Sequence, residues 1–229
     1  MAEVDRRRSR AQALMEWEPL IEIYESRWWR KSRLFALMTG IRFEREYENI
    51  VRALELDGDE LLLDLACGSG IYSRPLSRRL DRGGVVGLDL STPMLRYAAR
   101  KAQDQSIGNL DLVRGSALEL PFPGDAFDRV NCCGALHLFP DFSKATSEVF
   151  RVLRPGGIFT AAVFRNWLPG RLSRKLADRQ YRRMGAKNFQ PEELESLLVG
   201  AGFEGFECHH GKRYWQIVSA VKAGRPDAS

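Results

Sequence analysis

The stretch Leu61-Leu62-Leu63-Asp64-Leu65-Ala66-Cys67-Gly68-Ser69-Gly70 constrains this chain more than any other. It begins as an unbroken apolar run, too short to cross a membrane, and ends in a loop with glycines at 68 and 70. Such a run, bounded by glycines, reads as a strand buried on both faces. Ile71 to Leu80 follows, with helix-forming residues and several arginines. Strand, glycine turn and helix bring bare backbone close to a ligand at a helix N-terminus. A dinucleotide fingerprint needs a third glycine three residues after Gly70. Ser73 stands there, so that pattern is broken. An acid, Asp64, lies inside the strand instead.

Strand and helix then alternate. Gly84 to Leu88 is a second apolar strand, ending at Asp89. Ser91 or Thr92 caps the next helix and Pro93 suits its first turn; Met94, Leu95, Ala98, Ala99 and Ala102 supply its buried face. Leu110 to Val113, Phe127 to Cys133 and Ile158 to Phe164 are further strands. The helix marked by Phe142, Ala145, Val149 and Val152 stops at Arg154-Pro155-Gly156-Gly157. Pro191-Glu192-Glu193 opens another helix with acids in its first turn. Phe203 to Cys208 and Trp215 to Val221 form a closing strand pair, joined around His210-Gly211-Lys212. Upstream, Ala11 to Trp17 suits a helix. Ile21, Tyr24 and Trp28 share one helix face, and Phe43, Tyr47, Ile50, Val51 and Leu54 another. The expected fold is α/β, doubly wound and Rossmann-like. It has a mostly parallel seven-stranded sheet with one antiparallel strand, and a helical N-terminal extension. Residues 1–40 form the extension or cap, 41–222 the sheet domain and 223–229 a polar tail.

At 229 residues, 44% hydrophobic and 28% charged, the chain is long enough for a sizeable core. No stretch approaches the roughly 20 apolar residues of a membrane span, and the N-terminus lacks the pattern of a secretory signal. Cys67, Cys132, Cys133 and Cys208 form no C-x-x-C pair, which points to a reducing cytoplasm and away from disulfides or a zinc site. His209 and His210, near the closing hairpin, suggest no metal site without further ligands. The expected location is cytoplasmic and the expected metal content none.

In sheets of this kind the ligand lies at the carboxyl ends of the strands. Here those ends are Ala66 to Gly70, Asp89, Gly115 to Ala117, and Cys132 to His137. The motifs there carry a resemblance. Asp64-Leu-Ala-Cys-Gly-Ser-Gly70, Gly87-Leu-Asp89-Leu-Ser-Thr-Pro-Met94-Leu, Leu118-Glu-Leu-Pro121-Phe122, Ala135-Leu-His137 and Arg151-Val-Leu-Arg-Pro-Gly-Gly157 stand in order. The chain thereby resembles the class I S-adenosylmethionine-dependent methyltransferases, in the group around ubiquinone and menaquinone biosynthesis. Plant-plastid and cyanobacterial relatives look nearest. The resemblance implies S-adenosyl-L-methionine as methyl donor. It also implies a small-molecule or lipid-like organic acceptor, methylated at oxygen or activated carbon.

That cofactor's methionine part is a zwitterion. Gly68 and Gly70 admit it close to the backbone, beside Cys67. Asp64 and the carbonyls near Ala66 and Cys132 are candidates for its ammonium. Asp89, at a strand end, suits the ribose hydroxyls. Leu90 and Met94 can flank the adenine. Where the family often carries an aspartate after the third strand, this chain has Ser116, preceded by Gly115; the amide of Ala117 can meet a ring nitrogen. Cys67 precedes a helix N-terminus, which tends to lower a thiol's pKa, but its side chain is read first as structural, and those of Cys132 and Cys133 as packing residues. His137 is the catalytic candidate: a base for a protonated acceptor, or else a histidine hydrogen-bonded into the turn before Phe139-Pro140. Tyr24, Trp28 and Phe35 either line an acceptor pocket under the N-terminal cap or pack as core.

The formal charge of +5 is unevenly spread. Arg165, Arg171, Arg174, Lys175, Arg179, Arg182, Arg183 and Lys187 face the single acid Asp178 within residues 165–187. This segment reads either as a solvated charged helix or as a basic lid. As a lid, with Arg165 at its start, it would attract an anionic acceptor or make peripheral contact with an anionic membrane. Trp167, Tyr181 and Phe189 favour a lipid or ring-bearing acceptor. An RNA methyltransferase is the rival that the basic balance suggests. No added RNA-binding motif and no Asn-Pro-Pro-Tyr-like signature supports it, so nucleic acid is disfavoured. An NAD-dependent oxidoreductase lacks its third glycine. A non-catalytic S-adenosylmethionine-binding scaffold fits the same motifs. The oligomeric state is not encoded in any of these features.

Overall fold

A computed structural model describes residues 31–166, 175–176, 178–179, 181, 183 and 186–224. The expected helix over Ala11 to Trp17 and the face of Ile21, Tyr24 and Trp28 lie outside these residues. Helix α1 (Arg33–Thr39) is capped by the Ser32 hydroxyl, which accepts the Phe35 amide at 3.0 Å, and is stopped by Gly40 at φ 76°. Helix α2 (Phe43–Leu54) follows and buries Ile50 and Leu54 completely.

Among the described residues, seven strands build one sheet. They are β1 (Leu61–Leu65), β2 (Gly84–Asp89), β3 (Leu110–Arg114), β4 (Phe127–Cys133), β5 (Leu153–Phe164), β6 (Phe203–Lys212) and β7 (Trp215–Lys222). Their spatial order is β3-β2-β1-β4-β5-β7-β6. The first five pair in parallel, while β7 lies antiparallel between β5 and β6. The expected fold is thus the observed one. Helices α3 (Ser73–Ser77), α4 (Thr92–Asp104), α5 (Phe142–Val152) and α6 (Pro191–Gly200), with a 3-10 turn at Leu136–Leu138, make the connections.

Two cores sandwich the sheet. Leu63, Leu65, Val130, Phe159 and Val218 point to one, with Val149 of α5 and Leu198 of α6. Leu62, Val85, Ala162, Trp215 and Ile217 point to the other, with Ile50 and Leu54 of α2. Alternate residues of β1 enter opposite cores, which is why its leucines do not alternate with polar residues. Asp64 is the exception.

Three local expectations are corrected. On α4, Ala99 is exposed and Tyr97 takes a buried place instead, because it falls beside Met94 on the helix surface. The Arg154-Pro155-Gly156-Gly157 stop does end α5, but it forms the irregular start of β5. Phe127 pairs with Leu153 and Arg129 already pairs with Ile158, so the extra residues bulge out. The closing hairpin turns at Arg213-Tyr214, with Arg213 at φ 52°, so His209 and His210 belong to β6 rather than to the turn.

Candidate active site

The parallel register brings the C-terminal ends of β1, β2, β3 and β4 to one edge. The loop after β1 alternates into left-handed backbone, with Ala66 at φ 55°, Gly68 at φ 56° and Gly70 at φ 77°. Ala66 does so with a side chain, a strained conformation of the kind that gathers at functional loops. The two glycines differ in purpose. A Cβ on Gly70 would stand 3.2 Å from the Ala98 Cβ, so Gly70 lets α4 pack closely. A Cβ on Gly68 would meet nothing nearer than the Met94 Sδ at 4.0 Å. The backbone at Gly68 therefore borders space that Met94 lines. Between them, the Ser69 hydroxyl is buried with no hydrogen-bond partner. A buried orphan of this kind calls for a ligand, and the zwitterionic methionine end of S-adenosylmethionine fits it.

Asp64 is 2% exposed. Its Oδ1 accepts from Asn131 Nδ2 at 2.7 Å and its Oδ2 from the Ser73 hydroxyl. Asn131 stands beside Asp64 in the β1–β4 register and is oriented by the Cys133 thiol, which donates to its Oδ1 at 3.0 Å. Burial lifts the Asp64 carboxyl to about 6, and repulsion from Asp89 adds to that against the two hydrogen bonds. Asp89 is itself held by the loop: its Oδ2 accepts the Gly68 amide and its Oδ1 the Ser91 amide, each at 2.8 Å. The helix cap is the Ser91 hydroxyl, which accepts the Met94 amide at 3.4 Å. A carboxylate at this strand end has the acceptor chemistry that a hydroxyl donor needs.

Gly115 follows β3 and donates its amide to the Asp89 carbonyl at 3.0 Å. The Ser116 hydroxyl accepts the Leu118 amide at 3.2 Å, which fixes the loop carrying Ala117. Leu90 is half-buried and its carbonyl accepts from Arg114. Cys67 follows its structural reading and not that of a thiol sensitised by a helix N-terminus. Burial, reinforced by Asp89 and Asp64, pushes that thiol well up. Cys132 is likewise fully buried and its thiol is pushed up. Both side chains are packed in the interior. Among the described residues, no group of His, Cys, Asp and Glu side chains could hold a metal ion.

His137 sits in the 3-10 turn beyond β4, 2% exposed. Its ring is edge-on to Phe164 at 4.6 Å and to Trp215 at 6.2 Å between centroids. Trp215 also meets Phe164 at 5.1 Å and Phe35 of α1 at 6.3 Å, while Tyr181 meets Phe164 at 5.8 Å. Phe35 thus joins this aromatic group, a placement that fits core packing as well as a cap; Tyr24 and Trp28 lie outside the described residues. Arg165 is placed differently. Its guanidinium donates to the Gly211 carbonyl on β6, so its charge is directed at the hairpin. The chain leaves the sheet at Arg165 and returns beside it at Phe189, and the Lys187 amide donates to the His137 carbonyl at 2.8 Å. Sequence reasoning missed Asn131, Ser73, Phe164 and Trp215. Only Asn131, a polar residue inside an apolar strand, left a local signal.

These strand-end acids, the glycine loop and the sheet order define a class, and the chain belongs to it: it is a class I S-adenosylmethionine-dependent methyltransferase. The family described as methyltransferase domain matches residues 62–157. The chain is 32% identical over 190 residues to the demethylmenaquinone methyltransferase of Lactococcus lactis, covering 73% of this chain and 75% of that protein. It is 33% identical over 159 residues to an uncharacterised chloroplastic methyltransferase of Arabidopsis thaliana, covering 66% of this chain and 44% of that protein. The fold matches a phosphoethanolamine N-methyltransferase of Haemonchus contortus, solved with S-adenosylhomocysteine, at a TM-score of 0.72 and 17% identity, over 90% of this chain and 58% of that one. S-Adenosylmethionine is the methyl donor. Among the described residues, no helix is long and apolar enough to cross a membrane.

Proposed function

We propose that the enzyme methylates an oxygen or an activated carbon of a small, ring-bearing or lipid-like acceptor. The observation that carries this is an aromatic group at the exit of β4: Phe164 and Trp215 against His137, with Tyr181 on Phe164 and Phe35 on Trp215. Apolar rings suit a ring-bearing acceptor better than a phosphate backbone. A quinone precursor, as the name of the Lactococcus relative indicates for that protein, has this chemistry. Asp64, held by Ser73 and Asn131, takes the cofactor ammonium together with the carbonyls near Ala66 and Cys132. Gly68, Ser69 and Gly70 face its methionine end. Asp89 accepts the ribose hydroxyls, Leu90 and Met94 flank the adenine, and Ser116 and the Ala117 amide address its edge beyond Gly115. When bound, the cofactor supplies an electrophilic methyl on sulfonium. His137 removes the acceptor's proton as the new bond forms, and the aromatic group excludes water and fixes the acceptor ring. Incubation with radiolabelled donor and fractionated cell extract tests the reading: label is expected in lipid or small aromatic metabolites. Label confined to RNA would establish the rival reading, and no transfer to any fraction would favour the scaffold.

Binding of the cofactor is expected to depend on pH through Asp64. Below about 6 the empty site holds Asp64 protonated. An incoming ammonium favours the ionised form, so affinity falls as pH falls through that value and binding near it releases a proton. The folded chain also keeps a proton that the unfolded chain has lost between 3.8 and about 6. The associated stabilisation is complete below 3.8 and is lost as pH rises through about 6, a swing of order 3 kcal/mol. Calorimetry with S-adenosylhomocysteine in two buffers of different ionisation enthalpy measures the proton. Asp64→Asn should abolish its release and weaken binding; identical affinity from pH 5 to 8 in the unmodified chain would remove Asp64 from this role.

The acceptor's carrier is proposed to be an anionic membrane surface, touched peripherally. Leu34 and Leu37 of α1 are 61% and 60% exposed, opposite the buried Phe35. Leu176, at 59% exposure, stands among the exposed Lys175, Arg179 and Arg183. Exposed leucines beside cations are the composition of an interfacial contact. Replacing Lys175, Arg179 and Arg183 with glutamine is expected to raise the acceptor KM at low salt and leave cofactor binding intact. The difference should shrink toward 0.1 M salt and above, where screening acts over roughly 10 Å. Unchanged acceptor kinetics at low salt would return the segment to a solvated charged helix.

A further inference from the structure

Glu46 lies in the first turn of α2, where a glutamate ordinarily faces water and complements the helix N-terminus. Here its side chain has 0% exposure. Its Oε1 accepts two hydrogen bonds, from the Tyr72 hydroxyl at 2.7 Å and from the Trp215 indole Nε1 at 3.1 Å. A buried carboxyl is a demanding way to fill a core position, and an apolar side chain of similar volume would fill it without needing donors. The two donors share one buried cluster but come from separate segments, the one after the glycine loop and the start of β7. Tyr72 follows Gly70 by two residues and precedes Ser73, whose hydroxyl holds Asp64. Trp215 opens β7 and forms the wall against His137, Phe164 and Phe35. Both bonds end on the same oxygen, so a displacement of either ring is transmitted through one atom.

Methyl transfer needs donor and acceptor aligned at near-contact distance. The donor is set by the loop and the acceptor by the aromatic wall. We propose that Glu46 is a positioning residue that couples the two, so that filling the cofactor loop reorients Trp215 and shapes the acceptor wall. This rests on the cofactor reading above and goes beyond it, since Glu46 is fully enclosed and would act through the two rings it holds.

The test labels the full chain with 5-fluorotryptophan and follows Trp215 by fluorine NMR, its resonance assigned by loss in Trp215→Phe. S-Adenosylhomocysteine is the probe, with its Kd measured separately by calorimetry. In the unmodified chain, saturation should move the Trp215 resonance. In Tyr72→Phe the movement should fall by about fivefold or more while Kd changes by less than about threefold. Glu46→Leu should abolish it, and Glu46→Gln, which keeps an acceptor oxygen, should restore it. An undiminished movement in Tyr72→Phe with normal binding, or no movement in the unmodified chain despite binding, overturns the coupling. Absence of any binding to the unmodified chain overturns the cofactor reading instead, and the coupling with it.

Discussion

His137→Ala is expected to lower kcat by about 10²–10⁴-fold, with cofactor affinity almost unchanged. The ring sits at the exit of β4, enclosed by Phe164 and Trp215, so water contributes little as an alternative base. The turn itself should survive the change, because its tie to the basic segment runs through the backbone, from the Lys187 amide to the His137 carbonyl. His137→Phe separates the chemistry from the packing: it refills the aromatic group and should remain as slow as the alanine variant. At saturating cofactor, the acidic limb of the kcat–pH profile should also vanish in both. A folded His137→Phe enzyme with normal turnover would leave the histidine as a packing residue. An acceptor already ionised at the working pH would show itself as a small effect that grows as the pH is lowered.

Asp89→Ala is expected to weaken S-adenosylmethionine binding by about 1.5–3 kcal/mol, roughly 10- to 150-fold in Kd. Its carboxylate also holds the amides of Gly68 and Ser91 at 2.8 Å. The substitution therefore removes the proposed ribose acceptor and frees the loop that faces the methionine end. Asp89→Asn distinguishes the two losses. One carboxamide oxygen can still accept one amide, while the NH₂ group must face the other donor, so the asparagine variant should bind better than alanine and worse than aspartate. Truncated ligands sharpen the comparison: an S-adenosylhomocysteine lacking both ribose hydroxyls should lose less affinity on Asp89→Asn than the complete ligand does, keeping only the loss that comes through the loop. If it loses as much affinity as the complete ligand, the ribose contact is absent and Asp89 acts through the loop alone.

The parts of this site that were legible in the sequence are those in which local chemistry and tertiary role coincide. A strand buried on both faces has no polar alternation, so Leu61 to Leu65 announced itself, and Asp64 stood out against it. Asp89 and the strand-end glycines fall where a doubly wound sheet keeps its ligands. Glu46 was illegible for the converse reason. An acid in a helix's first turn satisfies a local rule, and only the docking of β7 shows that this one is enclosed. Trp215 likewise reads as an ordinary strand residue until the β5–β7 pairing brings it beside Phe164. The hairpin turn was misplaced because His210-Gly211-Lys212 contains the obvious turn residue, whereas Arg213 adopts the left-handed conformation. Backbone geometry imposed by pairing overrode composition there.

The placement of β7 also has a bearing on how the chain is made. Its last strand does not close the sheet at a rim but slots between two strands synthesised before it. During vectorial synthesis the segment ending at Phe164 emerges first. Its open hydrogen-bonding flank then waits until Trp215 to Lys222 arrives to occupy it. At about 5–20 residues per second, the some fifty residues between them leave an apolar edge unpaired for several seconds. Through that interval, the chain's own unfinished flank is its point of greatest exposure to aggregation, and a stall in translation before residue 215 would prolong it.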